Sequence, residues 1–296
     1  MNAPTSVTRV GIVAKHHLRQ AAPHLDAISR WLKERELTAV FERGTAALGP
    51  VPCEWPVRDR QALVAEVDMV LVLGGDGTLL AMADSIGEAG LRIPILGVNF
   101  GSLGFLTEVT LPELYPALEA AVMGRAHIEE RLMLRTSTIR RDEVFAAHTA
   151  LNDVVIAHTA RSRLMGLSVS VGGEFLTLVK ADGLIVSTPT GSTAYNLAAG
   201  GPIVQPTVDA IIITPIAPHT LTNRPIVIPS SSPVSVRPLA GHRGDVSVTF
   251  DGQTGYELEE GDEIRVGSAN VPLRLIRPST RSYFEVLREK LKWGER

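Results

Sequence analysis

Apolar residues follow two regimes along this chain. Up to about residue 125, short aliphatic runs alternate with stretches whose apolar residues recur every three or four positions, the signature of a parallel sheet covered by helices. The runs predict strands over Arg9–Ala14, Thr38–Glu42, Met69–Leu73 and Ile93–Val98. Leu18, Leu25, Ile28 and Leu32 fall near helical spacing and predict a helix between the first two strands. Thr110-Leu111-Pro112-Glu113 has the form of a capping box, Leu114, Leu118 and Val122 make one face behind it, and Gly124 stands where a left-handed C-terminal residue belongs.

From Arg131 onward the period changes to two, in Leu132/Leu134, Met165/Leu167/Val169/Val171, Val234/Val236, Val246/Val248/Phe250 and Leu273/Leu275. Gly172-Gly173 reads as a tight hairpin between Ser168–Val171 and Phe175–Val179, and Pro225, Pro229, Pro233 and Pro238 separate further short strands. Phe284, Leu287 and Leu291 make one face of a last helix that could fold back on either half. The expected organisation is an α/β domain with a parallel sheet over 1–125, a β-rich, sandwich-like domain over 126–277, and a C-terminal helix over 278–296.

A chain of 296 residues with 45% hydrophobic content can bury proper cores. With 29 basic and 32 acidic residues the net charge of −3 gives no field for nucleic acid or an anionic membrane, and no stretch approaches the roughly eighteen apolar residues of a membrane span. An anionic ligand must therefore be bound locally. Cys53 is the only cysteine, read as a loop thiol, and the N-terminus has no apolar signal segment; both favour a reduced, cytoplasmic compartment.

Gly74-Gly75-Asp76-Gly77-Thr78, directly behind the buried-strand pattern Met69–Leu73, points to a phosphate-handling turn. Glycines let the backbone approach a ligand closely, so that amides can face phosphate oxygens ahead of a helix starting near Thr78. Asp76 would repel phosphate unless it holds a metal ion or takes a proton from an attacking hydroxyl, and both belong to phosphoryl transfer. The turn is neither a Walker A loop nor a G-x-G-x-x-G turn.

Two further stretches carry chemistry. In Thr188-Pro189-Thr190-Gly191-Ser192-Thr193-Ala194-Tyr195-Asn196 five hydroxyls suit a base edge or ribose, Tyr195 adds a face for stacking, and a helix N-cap is the plainer alternative. Asn152-Asp153 heads an apolar strand: Asn can read an amide-like edge and a carboxylate can accept from vicinal ribose hydroxyls, while an Asx turn would serve structure alone. No histidine pair has zinc-ligand spacing, and His219 is expected to be a loop histidine satisfied by backbone.

Together these stretches, with Asp251-Gly252-Gln253, resemble the NAD kinases over nearly the whole chain. The resemblance implies the NAD kinase and diacylglycerol kinase type of fold and ATP-dependent phosphorylation of the 2′-hydroxyl of the adenosine ribose of NAD, giving NADP, with Mg²⁺ or another divalent cation carried on the ATP phosphates rather than by dedicated protein ligands. In it Asp76 looks like the catalytic residue facing the 2′-hydroxyl, with Gly75, Gly77 and Thr78 near the transferred phosphate. Asn152 and Asp153 look like adenine- and ribose-side binders, Asp182 is similar to an acidic contact beside the nicotinamide, and Thr193, Ala194, Tyr195, Asn196 and Ala198 match the loop and helix start that hold the dinucleotide. Arg163, Lys180 and Gln253 fall where the family often has polar or basic substrate contacts. Many members carry Glu in place of Asp153, one methylene longer. The partners implied are NAD and ATP, with no nucleic acid and no membrane, in a homodimer or homotetramer. Diacylglycerol-type kinases and phosphofructokinases share the Gly-Gly-Asp-Gly turn, but the hydroxyl-rich loop argues against a lipid or sugar kinase. A dinucleotide-binding regulator without catalysis would most simply have lost Asp76.

Overall fold

Met69–Leu73 is buried at every position, as a strand with neighbours on both sides and helices on both faces must be. In a computed structural model, which describes residues 7–49, 51–52, 54–101, 103–158, 165–220, 222–239, 246–278 and 281–294, this strand lies at the centre of a seven-stranded sheet. Cys53 and Arg163 lie outside the described residues.

The first elements are β1 (Arg9–Ala14), α1 (Ala22–Lys33), β2 (Thr38–Glu42), α2 (Arg43–Ala46), β3 (Val57–Arg58), α3 (Arg60–Glu66), β4 (Met69–Leu73), α4 (Asp76–Glu88), β5 (Pro94–Val98), α5 (Leu114–Val122) and β6 (His127–Arg131). Strands β3, β2, β1, β4 and β5 pair in that order, all parallel. Helix α1 buries Leu25, Ile28 and Leu32, while Leu18 precedes a short 3-10 turn at Arg19–Ala21. The capping box closes as expected: the amide and hydroxyl of Thr110 donate to Glu113 at 2.9 and 2.7 Å. A 3-10 turn at Leu111–Glu113 intervenes before α5, and Gly124 takes a left-handed φ of 66°.

The chain then forms β7 (Leu134–Arg140), β8 (Glu143–Ala150), β9 (Asp153–His158), β10 (Met165–Val171), β11 (Glu174–Ala181), β12 (Gly183–Ser187), α6 (Tyr195–Ala198), β13 (Ala210–Ile216), β14 (Ile226–Pro229), β15 (Val234–Pro238), β16 (Val246–Phe250), β17 (Thr254–Leu258) and β18 (Glu263–Ser268). These build an antiparallel sandwich of two six-stranded sheets, ordered β11-β10-β15-β18-β7-β8 and β14-β13-β12-β9-β16-β17. Met165, Leu167 and Val169, Val234 and Val236, and Val246, Val248 and Phe250 all point into one apolar core, so the period of two marks its inner faces. Gly172 and Gly173, both at positive φ, turn the β10–β11 hairpin.

The last elements are β19 (Leu273–Arg277) and α7 (Tyr283–Leu291). Leu273 and Leu275 read as one more pair in the β-rich half, yet β19 pairs in parallel with β5, and lies between β5 and β6 in the first sheet. Alternation fixes a strand but not its partner. The described residues up to Glu130 and from Leu273 onward make one compact unit, and Arg131–Pro272 the other. Helix α7 sits with the first: Lys290 lies over the Phe105 ring and Arg281 donates to the Glu108 carbonyl at 2.8 Å. Its buried pair is Val286 and Leu287, while Phe284 is exposed. Arg277 of β19 is buried beside Glu108, at 2.6 Å, and Glu129, at 3.0 Å. Among the described residues no helix is long and apolar enough to cross a membrane.

Candidate active site

Strand β4 delivers the chain to Gly74, whose amide donates to the Val98 carbonyl at 2.9 Å. Gly74 has no room for a side chain, since a Cβ there would stand 2.9 Å from the Thr78 hydroxyl. Gly75 and Gly77 are the opposite case: both are exposed with open space where a Cβ would go, so a ligand can reach their backbone. Helix α4 starts at Asp76, two residues earlier than the sequence suggests, with Gly75 as N-cap. The reason is that a carboxylate is favoured in a first helical turn, where the dipole and the terminal amides are positive. Thr78 is half-buried within that turn.

The Asp76 carboxylate is held by the segment after β5. Oδ1 accepts from the amides of Leu106 (3.2 Å) and Thr107 (3.0 Å) and from the Thr107 hydroxyl (2.9 Å); Oδ2 accepts from the Phe105 amide (2.9 Å). A carboxylate has about four lone-pair sites, so Oδ2 is the oxygen with room for another donor. Asn99 braces the same segment, donating to the carbonyls of Thr107 and Val109 and accepting from the Gly101 amide. None of these residues stood out in the sequence. The signal available was the pair of glycines, Gly101 and Gly104, soon after a strand, the mark of a close backbone approach.

In the second unit Asn152, Asp153, Val155, Ala194, Tyr195, Thr249, Asp251 and Gly252 line an open pocket of about 370 Å³. Asp153 is only 4% exposed. Burial, and then the nearby charge of Asp251, push its carboxyl up to about 7. Asp251, at a positive φ of 50°, accepts from the amides of Leu151 (2.8 Å), Asn152 (2.7 Å) and Asp153 (3.0 Å) and so shapes the head of β9. Its position in an Asp-Gly pair was the only hint of that part. Gln253 is exposed in the following turn and does not line this pocket.

The hydroxyl-rich loop is less open than its composition suggests. Thr188, Thr190 and Ser192 are buried, and they serve the fold. The Thr188 hydroxyl donates to the Leu151 carbonyl and accepts from the Gly191 amide; that of Ser192 accepts from the Val204 amide. Gly191 lies so close to the Asn152 backbone that a Cβ would meet its carbonyl at 2.0 Å. Thr193 is half-buried, and Tyr195 and Ala198 are exposed. Asn196 is fully buried: its amide donates to the carbonyls of Ser192 and Pro202 and its oxygen accepts from the Thr214 hydroxyl at 2.6 Å. It holds the loop in shape rather than facing a ligand. Lys180 and Asp182 are exposed, away from the pocket lining. The His219 amide donates to the Lys180 carbonyl, as a loop histidine should, but its ring also stands 3.7 Å from the Asp182 carboxylate.

Comparison with known proteins gives concordant matches. Residues 10–126 match the ATP-NAD kinase N-terminal domain and residues 151–278 the ATP-NAD kinase C-terminal domain. The chain is 49% identical over 293 residues to an NAD kinase of Geobacter sulfurreducens, and 46% identical over 288 residues to one of Geotalea daltonii, each match covering 97% of this chain and 99% of the relative. Among solved structures it is similar to yeast NADH kinase complexed with NADH, with a TM-score of 0.89 and 27% identity over 99% of this chain and 89% of that one. An NAD kinase from Archaeoglobus fulgidus in complex with ATP shares the fold, with a TM-score of 0.75 and 24% identity over 95% of this chain and 99% of that one.

Proposed function

The chain belongs to the NAD kinase family, phosphotransferases that make NADP from NAD and ATP, and on that premise we propose how its own residues divide the reaction. The 2′-oxygen of the adenosine ribose of NAD bonds to the γ-phosphorus of ATP, the bond from that phosphorus to the β–γ bridging oxygen breaks, and ADP leaves. Asp76 takes the 2′-hydroxyl proton on Oδ2. That assignment rests on one observation: the carboxylate is fixed on its other oxygen by three donors, at the N-terminus of the helix that follows the central buried strand. The amides of the first turn of α4, made approachable by Gly75 and Gly77 and flanked by Thr78, meet the charge on the moving phosphoryl group.

Asn152 and Asp153 hold the adenine and ribose side of NAD, and the pocket they share with Ala194 and Tyr195 supports this. Tyr195 offers an exposed ring for stacking. Asp182 takes the nicotinamide side, with Lys180, Thr193, Ala198 and Gln253 as outlying polar or backbone contacts. Asn196 acts through the shape of the loop.

Mg²⁺ would ride on the triphosphate, held by phosphate oxygens and water. When bound it would neutralise charge on the triphosphate, and Asp76, at the start of α4, is the carboxylate of this turn that would face it.

Purified protein given NAD, ATP and Mg²⁺ should form NADP phosphorylated at the 2′-position. Folded protein that leaves NAD and NADH untouched with ATP or polyphosphate, yet phosphorylates a diacylglycerol or a hexose phosphate, would overturn the reading.

A further inference from the structure

Asp76 can serve as proton acceptor only if one of its oxygens faces the substrate while the other is spoken for, and a carboxylate at a helix start is otherwise free to turn about its χ angles. The segment Gly104-Phe105-Leu106-Thr107 removes that freedom. Thr107 is fully buried and spends both its amide and its hydroxyl on Oδ1, at 3.0 and 2.9 Å. The segment is itself closed by a Gly104 amide to Thr107 carbonyl bond at 3.2 Å. Gly104 is the position that lets this happen, since a Cβ there would lie 2.1 Å from Asp76 Oδ1 and 2.4 Å from the Thr107 hydroxyl.

We propose that Thr107 is a positioning residue for phosphoryl transfer, its hydroxyl locking Oδ1 of Asp76 so that Oδ2 is presented to the ribose hydroxyl, and that Gly104 is required to leave the carboxylate its place. The inference rests on the reading of Asp76 as proton acceptor. It goes further by making the orientation of that acceptor depend on two buried residues beside it. Valine at 107 has nearly the shape of threonine but cannot donate, so it takes the hydroxyl from Oδ1 and leaves only the amides of Leu106 and Thr107 there.

The test compares kcat and KM of the purified enzyme for NAD, with Mg²⁺ and ATP, in Thr107→Val, Thr107→Ser, Gly104→Ala and Asp76→Asn, with melting temperatures for each. Thr107→Val should lower kcat by about tenfold or more at near-constant KM, as for loss of a hydrogen bond to a charged group. Thr107→Ser, which keeps the donor, should recover kcat to within about threefold of wild type. Gly104→Ala should lower kcat with KM held, and serves if Thr107→Val does not fold. In the Asp76→Asn background Thr107→Val should cause no further loss of kcat, since its effect passes through Asp76. If Asp76→Asn abolishes turnover while Thr107→Val and Gly104→Ala keep wild-type kcat, the positioning role is wrong and the reading of Asp76 stands. If Asp76→Asn itself keeps wild-type kcat, the reading fails and takes the positioning role with it. Equal losses in Thr107→Ser and Thr107→Val would reduce Thr107 to packing and overturn the proposal.

Discussion

Asp251 and Asp153 are tied by two hydrogen bonds: the Asp251 amide donates to the Asp153 carbonyl at 3.0 Å, while the Asp153 amide donates to the Asp251 carboxylate at 3.0 Å. The exchange fixes the Asp153 side chain in a buried place beside a second carboxylate, which is why its pKa is raised from 3.8 to about 7. A carboxyl raised above its unfolded value binds more protons in the folded state between those two pH values. The resulting stability is present below the lower value and is lost as pH rises toward the upper one, by roughly 4 kcal/mol at most. Urea titrations from about pH 4 to 8 should show this fall in the wild type and a flatter profile in Asp153→Asn. Identical slopes in the two proteins would mean that Asp153 is ionised throughout.

Asp76→Asn should lower kcat by at least about a hundredfold. It should also cost some stability, because the new NH₂ group must replace either Oδ1, where three donors converge, or Oδ2, where the Phe105 amide points. Donor then faces donor, a penalty of about 1 to 3 kcal/mol. Turnover at wild-type rate in a correctly folded variant would remove Asp76 from the chemistry.

Tyr195 separates ring from hydroxyl as recognition elements. Its exposed ring borders the Asp153 pocket, so Tyr195→Phe should keep KM for NAD within about threefold, while Tyr195→Ala should raise it by about five- to tenfold, the worth of one stacked ring. Steady-state kinetics at saturating ATP decide between them. A loss in Tyr195→Phe equal to that in Tyr195→Ala would assign the role to the hydroxyl.

Arg277→Leu should be far more damaging than any surface change. It would take from Glu108, only 3% exposed, the guanidinium that touches it at 2.6 Å, and removing one partner of a buried ion pair costs roughly 3 to 5 kcal/mol. Chemical denaturation checks this, and Arg277→Lys should recover only part of the loss, since an ammonium cannot bridge Glu108 and Glu129 as a planar fork does.

What could be read beforehand was whatever local pattern decides. The bounds of Arg9–Ala14, Thr38–Glu42 and Met69–Leu73 agree with the structure, as do the Thr110 capping box and the Gly172-Gly173 hairpin, because burial of a strand, a cap or a tight turn is written within a few residues. Partnership between distant segments is not. Nothing in Leu273/Leu275 says which sheet receives them, and nothing in Asn99–Thr107 says that its amides converge on Asp76. Composition misled at Thr188, Thr190 and Ser192, whose hydroxyls are equally able to serve a ligand or a neighbouring carbonyl; only the course of the backbone shows that the fold uses them.

The place of β19 between β5 and β6 bears on how the chain is made. The sandwich, Arg131–Pro272, is one uninterrupted stretch and has all its strands as soon as it leaves the ribosome. The older, N-terminal half must wait: the flank of β5 that receives Leu273–Arg277 stays unfilled until that strand is synthesised, after the whole of the sandwich. Until then that flank is an open edge of hydrogen-bonding groups, vulnerable to the wrong strand. A nascent or prematurely terminated chain would therefore carry a finished second unit and an unfinished first one, and the helix that bears Asp76 would rest on an incomplete sheet.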